Sequence, residues 1–94
     1  MKSYAEPKRL GTAKFEPIRA VRYLDTLDLF EVEFDSGETF KIAHAIIRRA
    51  NGHAGRPEVD SVRIEAEARS GFLVRYTDGT WADCAWDLVK ETAT

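Results

Sequence analysis

The phrase Phe30-Glu31-Val32-Glu33-Phe34-Asp35-Ser36-Gly37 returns 42 residues later as Phe72-Leu73-Val74-Arg75-Tyr76-Thr77-Asp78-Gly79. In both copies apolar side chains hold every second position, and the run closes on two polar residues and a glycine. Successive side chains of a strand point to opposite faces, so each copy describes a strand with one buried and one wet face. The glycine supplies the positive φ that closes a hairpin. This doubling constrains the fold more than any other feature. One small meander leaves its apolar face open, whereas two packed together bury it.

Each half extends the phrase in the same way. Ile18 to Leu24 is rich in β-branched and aromatic residues, with Val21 and Tyr23 on one face, and Asp25 to Asp28 has the composition of a turn into the strand at Phe30 to Phe34. Glu38 to Ile42 returns as a third strand with Phe40 and Ile42 facing the core. The spacing of Ile42, Ile46, Ile47 and Ala50 predicts a helix of two to three turns, ended by Asn51-Gly52. Residues 53–60 read as a loop. The pattern then restarts: Val62, Ile64 and Ala66 alternate with Arg63 and Glu65, Ser70-Gly71 turns, Phe72 to Tyr76 forms the middle strand, and Thr80 to Ala82 the last. Asp83 is placed to cap a closing helix over 84–92 that turns Ala85, Trp86 and Val89 inward. The expected architecture is α+β: two imperfectly repeated three-stranded antiparallel meanders, each followed by a short helix, sharing one core. Residues 1–16, with Pro7 and Gly11 and no periodicity, are expected to be a flexible tail, and 17–94 a single domain.

With 94 residues a single core must supply nearly all the stability, which favours a homodimer interface as an added source. The formal net charge of −2 argues against a general polyanion binder, whose affinity rests on many phosphate-neutralising cations. The single cysteine, Cys84, excludes an intramolecular disulfide and a cysteine-rich metal knuckle, and points to a reducing cytoplasm. No leader pattern opens the chain and no stretch approaches the roughly 20 apolar residues that a bilayer requires.

Val21, Val32, Phe34, Gly37 and Glu38, followed by Val62, Ile64, Val74, Tyr76, Asp78, Gly79, Asp83, Leu88 and Val89, make the chain resemble a family of small bacterial proteins known as domain of unknown function 2442. The resemblance covers most of residues 18–89. Where that family tends to have Trp-Pro, this chain has Tyr76-Thr77. The resemblance implies an α+β domain of unassigned activity, often found beside small toxin-like partners. It implies no catalytic residues.

The residues themselves support three functional readings. The first is a non-catalytic, regulatory interaction module that binds a protein partner through a sheet edge, a basic loop or an exposed tryptophan, Trp81 or Trp86, since tryptophan and arginine dominate interface energetics. The second is a nucleic-acid or anion-binding module built on Arg48, Arg49, His53 and Arg56, which fall within nine residues at a helix end and a glycine loop. A variant with a Tudor-like or SH3-like barrel puts Tyr76 and Trp81 in an aromatic groove for a peptide or methylated cation. The third is a small thiol enzyme in which His44 or His53 activates Cys84; the competing reading makes Cys84 a small buried hydrophobe and His44 a core or edge histidine. Glu31, Glu33, Asp35 and Glu38 form an acidic stripe, read as solvated charge within reach of Arg63, Arg75 or Lys41. No cofactor and no metal set is expected, because His, Cys and carboxylates do not recur at ligand spacing.

Overall fold

The computed structural model describes residues 14–92. Two antiparallel sheets form. The first contains β1 (Ile18–Leu24), β2 (Leu29–Phe34) and β3 (Thr39–Ala43) and leads into α1 (His44–Ala50); the second contains β4 (Val59–Ile64), β5 (Gly71–Tyr76) and β6 (Trp81–Ala85) and leads into α2 (Trp86–Thr92). In each sheet the strand order follows the chain order, so both are meanders. The α+β architecture of two repeated meanders, each followed by a helix, is therefore present as the alternation required.

The repetition reaches the backbone hydrogen bonds. Phe34 N–H donates to Glu38 O and Gly37 N–H to Phe34 O; 42 residues on, Tyr76 N–H donates to Thr80 O and Gly79 N–H to Tyr76 O. Gly37 and Gly79 take φ of 93° and 89°. Both first strands carry a register shift, between Ile18 and Ala20 and between Val59 and Ser61, an offset of 41 rather than 42. The one-residue difference is absorbed in the turn after each half's first strand, where a non-glycine residue takes the left-handed conformation, Asp28 in one and Arg69 in the other.

The alternating residues meet where the pattern sends them. Phe30, Val32, Phe34 and Ile42 from one sheet and Phe72, Val74, Tyr76, Ala82 and Cys84 from the other are buried together with Ile18, Ile47 and Val89. The Phe30 and Phe72 rings, equivalent positions of the two halves, lie 5.7 Å apart between centroids. Each buried side chain of this kind stabilises the fold by about 1.5–3 kcal/mol relative to exposure. From the turn between β4 and β5, Arg69 donates to both oxygens of Asp35 in the β2–β3 turn at 2.9 and 2.8 Å, while its carbonyl accepts Ile18 N–H at 2.8 Å, tying the second half to the first.

Several expectations change. β4 begins at Val59, inside the stretch 53–60 read as a loop, and Ala85 is exposed rather than turned inward. The expected capping residue Asp83 lies within β6, which runs on through Ala85, so the closing helix starts at Trp86. The cause is the ladder to β5, where Ala82, Cys84 and Ala85 pair with Val74, Phe72 and Gly71 and bury the first two. Helix α1 likewise starts at His44, with Ile42 left in β3. Finally, Gly71 is not the turn residue. The turn closes around the Glu65 carboxylate, which accepts N–H donors of Glu67, Ala68 and Ser70 at 2.6, 3.1 and 3.3 Å. Gly71 instead opens β5, where a Cβ would stand 2.7 Å from the Cys84 carbonyl oxygen. Gly71→Ala is therefore expected to destabilise the protein by about 1–3 kcal/mol, the usual cost of overpacking. An urea midpoint at or above that of the unchanged protein would contradict this.

The expected N-terminal tail lies outside the described residues up to residue 13, but its last part is docked. Glu16 binds Lys90 at 2.8 Å and accepts Ser36 N–H at 2.8 Å, and Phe15 packs edge-on to Trp86 at 5.5 Å. Among the described residues no helix is long and apolar enough to cross a membrane.

Candidate functional site

Two regions gather side chains with chemical potential. The first lies where α1 meets the turn after β1. Asp28 adopts a left-handed conformation, φ 53° and ψ 49°, which aspartate tolerates better than most residues. Its Oδ1 accepts the Tyr23 hydroxyl at 2.8 Å and His44 Nδ1–H at 2.9 Å, while Oδ2 faces Arg56 at 3.1 Å and Arg48 at 3.5 Å. His44 is buried, and its Nε2 lies 2.9 Å from the Tyr76 hydroxyl. A carboxylate only accepts, so Nδ1 carries the proton, and the neutral ring accepts the Tyr76 O–H at Nε2. Burial holds the His44 pKa below its ordinary value against the pull of Asp28. Burial raises the Tyr76 pKa as well, and burial with the Asp28 hydrogen bond pushes Tyr23 up to about 12. For Asp28, burial acts upward, but the Tyr23 and His44 hydrogen bonds and Arg48 prevail and hold it at about 2.

This Asp28–His44–Tyr76 chain has the connectivity of a nucleophile relay, yet its hydroxyl end is Tyr76, which is 1% exposed and packed in the core. Asp28 is surrounded by four donors. The arrangement joins the halves, since Asp28 and His44 belong to the first and Tyr76 to the second. The positions related by 42 residues are Trp86, Phe34 and Lys90 for His44, Tyr76 and Arg48. There Lys90 Nζ sits 4.7 Å from the Phe34 ring centroid and binds Glu16. The same joint is thus a lysine over aromatic rings in one half and a hydrogen-bonded histidine network in the other. The local composition marks Asp28 only as a turn residue, and the strand alternation sets Tyr23 on one face with Val21; nothing in this spacing announces the contact of Asp28 with a histidine 16 residues away.

The basic segment does not assemble as an open anion cradle. Arg48 and Arg56 are directed at Asp28, on the rim of a cleft of about 380 Å³ that Tyr23, His44 and Glu58 also line. Arg49 is exposed elsewhere on α1. His53 turns the other way, with Nε2 3.0 Å from the Trp81 carbonyl. Asn51 completes that contact: its side chain donates to the Asp83 carbonyl at 2.9 Å and accepts Asp83 N–H at 3.1 Å. The edge of β6 is thereby covered by the loop after α1, which blunts it as a template for strand addition.

The second region is the outer face of the second sheet. Trp81 is 58% exposed there, while Trp86 is partly buried against the core. The ladder aligns Arg63, Leu73 and Asp83 in one row and Ser61, Arg75 and Trp81 in the next. A shallow depression of about 480 Å³ runs past Leu73, Trp81, Ala66 and Ala85. Arg63, Arg75 and Asp83 form no ion pair among the described residues. The equivalent row of the first sheet is Arg22, Glu31 and Lys41, with Arg22 bound to Glu31 at 2.6 Å and Arg19 to Glu33 at 3.3 Å. Within the acidic stripe, Glu31 is paired by Arg22 and Glu33 by Arg19 from the same sheet, and Asp35 by Arg69 from the other half, rather than by Arg63, Arg75 or Lys41. The Tyr76–Trp81 groove of the barrel variant has no counterpart, because the Tyr76 ring is in the core and Trp81 is outside.

Cys84 is buried in β6 on the core face. Burial, with Asp83 and Asp87 nearby, pushes its thiol up to about 12, and its sulfur faces the Ala85 carbonyl at 3.7 Å. Reactive thiols have the opposite signature, a lowered pKa and partial exposure. Among the described residues no three His, Cys, Asp or Glu side chains gather as a metal site requires. Comparison of the chain with protein families, characterised proteins and solved structures returns no match.

Proposed function

We propose that this protein is a non-catalytic interaction module that binds a protein partner through the outer face of its second sheet. The observation that carries this reading is the contrast between two equivalent faces. On one, Arg22 pairs with Glu31 and Arg19 with Glu33; on the other, Arg63, Arg75 and Asp83 form no ion pair among the described residues and surround a half-buried Leu73 and an exposed Trp81. Aromatic and arginine side chains on one patch, around an apolar centre, are the composition of interface anchors. The face is built on three paired strands, so an incoming surface meets side chains already held in place. The raised thiol pKa of buried Cys84 and the enclosed hydroxyl of Tyr76 favour a binding role over a chemical one.

The test compares variants rather than relying on capture alone. A partner isolated with the unchanged protein is purified and its affinity measured by calorimetry. Trp81→Ala is expected to weaken binding at least about thirty-fold, the effect of losing a hot-spot tryptophan. Arg49→Glu, on α1 and outside the strand rows of this face, is expected to leave it within about two-fold, as for residues outside a hot spot. An unchanged affinity for Trp81→Ala overturns the assignment of the face. Loss with Arg49→Glu instead supports the anion-binding reading of the basic segment.

A further inference from the structure

The geometry points to a second copy of this chain as the partner of that face, packed sheet against sheet about a two-fold axis parallel to the strands; this inference rests on the interaction reading above. A two-fold interface is self-complementary, so each residue must suit the residue it meets on the other copy. An axis running along the central strand β5 exchanges the two flanking strands: what projects from β4 of one copy faces what projects from β6 of the other. In the row Arg63–Leu73–Asp83 this sets Arg63 against the second copy's Asp83, twice, with Leu73 against Leu73 at the centre. Both unpaired charges then gain a partner and the apolar centre is covered. In the next row, Ser61–Arg75–Trp81, the large Trp81 faces the small Ser61. The two Arg75 side chains meet at the axis, and each has the neighbouring Trp81 ring of the other copy as a cation–π surface.

The alternatives fit less well. An axis perpendicular to the strands sets Arg63 against Arg63 and Asp83 against Asp83 when it lies in their row, and sets Arg63 against Ser61 and Asp83 against Trp81 when it lies between the rows, so that neither charge gains an opposite partner. The first sheet, treated in the same way as the second, opposes Arg22 to Lys41 and Glu31 to Glu31, and Arg22 and Glu31 already bind each other. Of the two outer faces only the second sets unlike charges against each other across the axis, Arg63 against Asp83 twice, with the meeting of the two Arg75 side chains as its one like-charged contact. Three strands of five or six residues present less than the roughly 800 Å² per partner of a standard stable interface, so the dimer is expected to be weak and concentration-dependent.

Sedimentation velocity from about 10 µM to about 1 mM covers the range in which such a small interface assembles. The unchanged protein is expected to shift from monomer to dimer. Arg63→Asp and Asp83→Arg, each alone, oppose like charges twice and are expected to stay monomeric. An equimolar mixture of these two variants, and the double variant Arg63→Asp/Asp83→Arg, restore both opposite pairs and are expected to dimerise again. Circular dichroism and urea midpoints of each variant separate loss of assembly from loss of fold. A protein that stays monomeric throughout overturns the self-association; if Trp81→Ala still loses a captured partner, the interaction reading survives without it. Dimerisation unaffected by both single reversals places the interface elsewhere and overturns the proposal.

Discussion

Asp28→Ala is expected to lower the unfolding free energy by about 3 kcal/mol, a large share of the 5–15 kcal/mol of an ordinary domain. The loss has three sources. His44 keeps a buried Nδ1–H with no acceptor, Arg48 loses its counter-charge, and alanine is forced into a left-handed conformation that costs about 1 kcal/mol. Asp28→Asn separates these sources. Asparagine tolerates the same backbone and still accepts from Tyr23 and His44, so it is expected to lose only about 1–2 kcal/mol. Acid reads the same network. Asp28 lies at about 2 against an ordinary 3.8, so its contribution is complete above pH 3.8 and is lost as pH falls through 2. His44 is held below its ordinary 6.5, so its contribution is complete above pH 6.5 and is lost as pH falls through its lowered value. Stability measured by urea unfolding is expected to be flat from pH 6.5 to about 8 and to decline on acidification; above pH 9.0 it falls again, because the buried Cys84 thiol stays neutral in the fold but ionises in the unfolded chain. Glu16, held at about 2 by Lys90 and Ser36, acts in the same direction, so the diagnostic is the difference between proteins. The decline below pH 4 must be smaller in Asp28→Asn; an identical decline removes Asp28 as its cause.

Phe72→Ala should cost about 3–5 kcal/mol, the largest effect of any single truncation considered. Phe72 is 2% exposed, pairs across the ladder with Cys84 and meets Phe30 from the other half. A cavity there has rigid walls, because both sheets present paired backbone around it, and a site that cannot collapse pays the full penalty. Trp81→Ala on the outer face of the same sheet is the control, expected to remain within about 0.5 kcal/mol despite removing a larger side chain. A Phe72→Ala loss below about 1 kcal/mol, or a Trp81→Ala loss of similar size to it, would mean that the two halves do not share the core described above.

Much of the architecture can be read from the chain because strand periodicity is a local property. Val32, Val74 and their neighbours alternate whether or not a second sheet exists, and Gly37 and Gly79 require a positive φ on local grounds. Element ends are less legible. Cys84 and Ala85 follow an aspartate and precede a helical pattern, so local rules assign them to the helix; the ladder to Phe72 and Gly71, twelve and fourteen residues back, holds them in β6. The candidate face was partly visible, in Trp81 and in the alternation of Arg63, Leu73 and Arg75, but not the pairing that aligns Arg63 with Asp83 across three strands. The basic cluster misled for the same reason: nearness in sequence did not make Arg48, His53 and Arg56 converge, since Asp28 and the Trp81 carbonyl draw them in different directions.

What the amino-acid order determined alone is the period of each segment, the position of its turns and the fact that the chain says the same thing twice, because these depend on side chains a few residues apart. What only the tertiary structure decided is which half carries the Asp28–His44–Tyr76 joint and which outer face keeps its charges unpaired. Those outcomes depend on register between strands and on contacts across 16 to 34 residues, where chain entropy and packing rather than local preference select the partner.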